Sequence, residues 1–101
     1  MDVFHTEGAQ LLIDALMSLE TKEEYADFLE DLLTTKEMLD MSQRVMVAKL
    51  LTEKKVYNKI AEQTGASSAT ISRVNRAFTY GKDGYKTVFK RLNRGKDDDI
   101  E

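Results

Sequence analysis

The 101-residue chain contains no cysteine, no proline and no tryptophan. Without cysteine there is neither a disulfide nor a thiolate metal site, which fits a reducing cytoplasm. Without proline nothing obliges a helix to stop, and Leu, Ala, Glu and Lys are frequent, so an all-α chain is expected. No apolar run approaches the roughly 20 residues that a membrane-crossing helix requires. No signal-peptide pattern is legible either, and the expected location is cytoplasmic. The length suits a single domain, expected to span residues 1–94. A chain this short has a thin core unless a second subunit adds to it.

Cationic charge is scarce overall, with a net charge of −3, but its distribution is uneven. Residues 1–53 carry four basic and twelve acidic groups, net −8, and residues 54–94 carry ten basic and two acidic groups, net +8. The segment 95–101 is again acidic, net −3. A polyanion would therefore meet only the second half, where the positive field is concentrated. Two solvated faces that balance each other would give the same totals.

Apolar periodicity divides the chain into helices. Leu11, Leu12, Ala15, Leu16 and Leu19 form a stripe at helical spacing. Thr21 with Glu24 is a capping-box pattern opening a second helix, whose inward side is Tyr25, Phe28, Leu29 and Leu32. Its acids, Glu23, Glu24, Asp27, Glu30 and Asp31, fall on the other side. With no histidine nearby they read as surface rather than as acid–base catalysts. Thr34 with Glu37 repeats the pattern and starts the longest helix, to about Thr52. That helix is apolar around more of its circumference than one small chain can cover, which predicts contact with a second chain. Short helices follow over about 56–64 and 67–78, then a turn marked by Gly81 and Gly84, and a last amphipathic helix carrying Tyr85, Val88, Phe89 and Leu92. The tail GKDDDIE has too little apolar surface to offset its ordering entropy and is expected to be disordered.

The informative stretch is YNKIAEQTGASSATISRVNRA, from Tyr57 to Ala77. Ala61 supplies a small residue where two helices cross closely. Gly65, four positions on, supplies the left-handed backbone of the tight turn. Ser67 or Ser68 caps the next helix, and Ile71 and Val74 point back toward Ile60. This is the spacing of a helix-turn-helix over about 56–78. The outward set, Ser67, Ser68, Ala69, Thr70, Ser72, Arg73 and Arg76, is small, polar or cationic, as a helix entering a major groove needs. Ser68, Ala69 and Ser72 are the expected groove readers. Ser67, Thr70, Arg76, Lys54, Lys55 and Lys59 are the expected phosphate contacts, and Arg73 could serve DNA or a ligand.

From Leu11 to Leu92 the sequence resembles the Trp repressor superfamily, particularly its YerC/YecD-like branch, most clearly over LLTTKEMLDMSQRV and GASSATISR. The resemblance implies a six-helix domain and an intertwined homodimer whose fourth and fifth helices are the helix-turn-helix. It also implies a transcription regulator, most often a repressor, bound to double-stranded DNA. Arg44 and Arg73 match the two arginines that hold the corepressor's indole in that family, and Thr34 and Thr70 match two pocket-lining threonines, making these four the candidate effector site. At the next position, however, Val74 replaces a glycine, and Ala77 replaces a serine. Both changes argue against tryptophan as corepressor: the branched side chain of Val74 would overfill the pocket, and Ala77 lacks the hydroxyl near the ligand's amino group.

The alternative is a helical protein-interaction module that keeps the fold and docks through its basic face without regulating a specific operator. Nothing argues for an enzyme. His5 is a lone histidine in a terminus expected to fray, Ser72 and Thr70 have no neighbouring base, and Gly81 and Gly84 lack the lysine–hydroxyl pair of a phosphate loop. No metal or cofactor is expected.

Overall fold

The computed structural model describes residues 2–100, with the side chains of residues 2–93. Among the described residues it is all helical. A 3-10 turn, Val3–His5, precedes α1 (Glu7–Met17), α2 (Lys22–Leu32), α3 (Thr35–Thr52), α4 (Tyr57–Thr64), α5 (Ser68–Tyr80) and α6 (Gly84–Ile100). The N-terminus expected to fray is instead ordered into that turn. The Asp2 carboxylate accepts from the Phe4 amide at 3.0 Å and also meets the His5 ring. The acidic tail expected to be disordered instead continues α6 as helix to Ile100, and its side chains lie outside the described residues.

The helix starts follow from local chemistry. At α2 the Thr21 hydroxyl accepts from the Glu24 amide at 3.1 Å, while the Glu24 carboxylate accepts from the Thr21 amide. At α3 the box recurs with Thr34 and Glu37, at 3.1 and 2.9 Å. Hydrogen bonds from the Thr34 amide and hydroxyl to the Glu37 carboxyl hold it below its ordinary range. Each box satisfies two amides that have no partner within the helix.

The chain forms two compact units, Met1–Met38 and Leu39–Glu101. In the first, neither α1 nor α2 has a buried residue. Leu11 is 67% and Met17 77% exposed, although both helices are amphipathic. The second unit holds the core: Val47, Ala48 and Leu50 of α3, Ile60 of α4, Ala66 of the turn, Ile71 and Val74 of α5, and Phe89 of α6, with Leu51, Ala61 and Tyr85 packed against them. Other apolar residues of α3, among them Leu39, Val45 and Met46, remain exposed. This is the surplus that its all-round apolar pattern predicts.

Candidate nucleic-acid interface

α3 ends in a Schellman turn. The Lys54 amide donates to the Leu51 carbonyl and the Lys55 amide to the Leu50 carbonyl, at 3.0 and 3.1 Å. Lys54 occupies the left-handed position, φ 61°, where glycine is the usual choice. The turn places Lys54 and Lys55, both exposed, directly before α4. Val56 opens α4 without any side-chain cap. Lys59, one turn in, makes an exposed 3.7 Å ion pair with Glu62, a geometry that contributes little in water and leaves the lysine available.

α4 closes at Gly65, whose φ of 71° is left-handed and whose amide donates to Ala61 at 2.8 Å. The Thr64 hydroxyl donates to the Ile60 carbonyl and accepts from the Ala66 amide, bracing the corner. Gln43 of α3 donates to the Thr64 carbonyl at 3.2 Å and ties the turn to the core. Of the two serines that could cap α5, Ser67 does so: its hydroxyl accepts from the Thr70 amide at 3.1 Å. It also lies 3.1 Å from the Thr70 hydroxyl.

Ile71 and Val74 are buried with Ile60, so the opposite side of α5 is turned outward. Ser67, Ser68, Ala69, Ser72, Arg73 and Arg76 are exposed, and Thr70 is half-buried. Ser68 and Ser72 stand one turn apart on one face, with Ala69 beside them, at the N-terminal half of the helix. Arg73 follows Ser72 near the middle of the helix, and Arg76 lies one turn further on. Both line a shallow cleft of about 320 Å³ with Ala77, Tyr80 and Gly81. α5 runs two residues beyond the predicted end and stops at Gly81, where a Cβ would lie 2.3 Å from the Ala77 carbonyl oxygen. Glycine is the residue that fits there.

The four candidate effector residues are Thr34, Arg44, Thr70 and Arg73. Thr34 is exposed in the first unit. In the second, Arg44 and Thr70 are half-buried, and Arg73 alone of the four lines the cleft. Val74 is 2% exposed and committed to the core. Among the described residues there is no cluster of acids and histidines able to hold a metal ion, and no helix is long and apolar enough to cross a membrane. The sequence reading missed the Schellman turn that presents Lys54 and Lys55. No glycine or asparagine announces it.

The profile of the Trp repressor protein family matches residues 7–93. The uncharacterised protein YerC of Bacillus subtilis is 40% identical over 94 residues, which span 91% of this chain and 90% of that protein. Among solved structures, a TrpR-like protein from Eubacterium eligens superposes with a TM-score of 0.86 at 49% identity, covering 92% of this chain and 96% of the other. A candidate Trp repressor from Staphylococcus aureus does so with a TM-score of 0.85 at 38% identity, covering 92% and 95%.

Proposed function

The chain belongs to the Trp repressor family, and on that premise we propose that it is a DNA-binding transcription regulator, acting as a helix-turn-helix homodimer in the cytoplasm. One observation carries the reading. The N-terminal half of α5 turns Ser68, Ala69 and Ser72 outward while Ile71 and Val74 are anchored in the core. Short side chains let a helix backbone approach base edges closely, and hydroxyls can meet either bases or phosphate. Lys54, Lys55 and Lys59 supply the sequence-independent attraction that fixes position on the duplex. Ser67 and Thr70 stand at the same end of the helix, where backbone phosphates pass.

The homodimer is supported by the first unit, whose two helices have no fully buried residue and whose apolar faces would be costly to leave in water. A second copy that covers them adds the core that a chain of this length lacks. Regulation by repression follows the family pattern. Tryptophan is not the expected corepressor, since Val74 stands in the core where that family carries a glycine. No catalytic role is proposed.

The test is recovery and sequencing of the DNA bound to the protein in cells, followed by titration of the enriched sequence with purified protein. Repeated palindromic sites, bound with an affinity that falls steeply with salt, are the expected result. Absence of any enriched site would turn the assignment toward a protein-interaction module.

A further inference from the structure

α6 carries a second cationic face, which the helix-turn-helix does not use. Phe89 is buried in the core, and Tyr85, one turn earlier, packs against it. At 3.6 residues per turn the outward side of the helix is then made by Thr87, Lys90 and Arg91, with Lys86 at its edge. All four are exposed. Lys86 is held in place: its ammonium lies 5.4 Å from the centre of the Phe78 ring and 3.6 Å from the Asp83 carboxylate. Lys90 and Arg91 have no acidic partner among the described residues. Lys82 stands exposed in the turn before the helix. Residues 82–93 hold four basic groups and one acid, Asp83, so the positive field of this helix is not cancelled locally. Phe78 is half-buried, on the side of α5 that carries Ile71 and Val74 into the core. The cationic edge of α6 therefore begins behind α5, away from Ser68 and Ser72.

We propose that the outward face of α6 binds the phosphate backbone of a second DNA duplex, without sequence preference, so that one chain holds two duplex segments. This rests on the DNA-binding reading put forward above. Position is the first argument. A duplex seated on Ser68 and Ser72 lies on the opposite side of α5 from the edge that Lys86 begins, so the α6 cations are left for another segment. Composition is the second. The arc from Lys86 to Arg91 holds cations and the Thr87 hydroxyl, and the exposed apolar residues of α6, Val88 and Leu92, stand outside it. Protein interfaces centre on apolar or aromatic anchors and are poor in lysine. A phosphate backbone asks only for cations and hydroxyls.

Two chains test this, one with Lys90→Gln and Arg91→Gln, the other with Lys90→Glu and Arg91→Glu. Both positions are exposed, so either chain should fold, as circular dichroism checks. If the glutamate chain folds poorly, the glutamine chain decides. A duplex fragment recovered with the protein from cells is immobilised and saturated with protein at low salt. A labelled duplex of unrelated sequence is then added. The wild type should retain the labelled duplex, the glutamine chain about tenfold less of it, and the glutamate chain none. Affinity of the glutamine chain for the immobilised fragment, and the salt slope of that affinity, should match the parent. A wild type that holds the fragment but no second duplex overturns the proposal and leaves the DNA-binding reading standing. So does a glutamine chain that retains as much as the parent. A flatter salt slope of that chain on the fragment itself also overturns it, by placing the two cations on the first duplex. Polyglutamate held in preference to the labelled duplex at equal charge overturns it in favour of an acidic protein. A wild type that holds no DNA at all removes both readings.

Discussion

The Gly65 amide donates to the Ala61 carbonyl at 2.8 Å, and that bond ends α4 at a residue whose φ is 71°. The direction in which α5 leaves the core is set there. Nothing lies within 4 Å of the position a Cβ would take, so a side chain at 65 would meet no steric barrier and only the backbone would resist it.

Gly65→Ala should therefore lower stability by about 1 kcal/mol, the cost of a left-handed backbone for an L-residue, as read by urea unfolding. Gly65→Asn should lose less, since asparagine tolerates that region. A loss of several kcal/mol for the alanine variant would mean that the turn is crowded after all.

Lys54 is the converse case, a long side chain held at φ 61°. Lys54→Gly should raise the unfolding free energy by roughly 0.5–1 kcal/mol by relieving the strain. The same change should weaken DNA binding and lower the log–log salt slope by about one, if the lysine neutralises a phosphate. Stability and affinity moving in the same direction would refute this trade.

Ser72 is exposed and carries no packing duty. Ser72→Asp should leave thermal unfolding within about 0.5 kcal/mol of the parent. Its effect on affinity for the recovered operator should exceed tenfold, because a carboxylate would face the phosphates and acceptor-rich base edges of the groove. Fluorescence anisotropy with a labelled duplex measures it, and equal affinities would move the reading face elsewhere.

Ile71 is 1% exposed and sits with Ile60 beneath the helix-turn-helix. Ile71→Ala should cost about 3 kcal/mol through the cavity it leaves, a large share of the stability of a small domain. Chemical unfolding at fixed protein concentration is the measurement.

Glu37 titrates below its ordinary value because the Thr34 amide and hydroxyl bond its charged form. A folded-state value lowered in this way gives stability that is present above the unfolded value and lost as pH falls through the folded one. Glu37→Gln keeps an oxygen for the capping box but does not titrate, so its unfolding free energy should change less between neutral and acid pH than that of the parent. Parallel pH profiles would show that the box is not formed in solution.

Much of this architecture is legible in the sequence because short-range chemistry writes it. Thr21 with Glu24 and Thr34 with Glu37 announce two helix starts, and the structure closes both boxes. Ala61, Gly65, Ile71 and Val74 fix the helix-turn-helix because each has one local duty. Less visible is whatever depends on an unusual residue doing a common job. Lys54 fills a place where glycine is the normal signal, and Asp2 orders an N-terminus that composition alone describes as loose. Arg73 and Arg76 look alike in sequence to groove-facing residues. Only the fold shows that they share a cleft with Tyr80.

The two arms of the helix-turn-helix begin unequally. α5 opens on the Ser67 hydroxyl, whereas α4 opens on Val56, which offers its first amides no acceptor. Deuterium should accordingly enter the Tyr57 and Asn58 amides soonest, while the Thr70 amide resists exchange. The first turn of the earlier arm should open more readily than that of the later one, so a duplex would meet a firmer start to the probe than to the collar beside it.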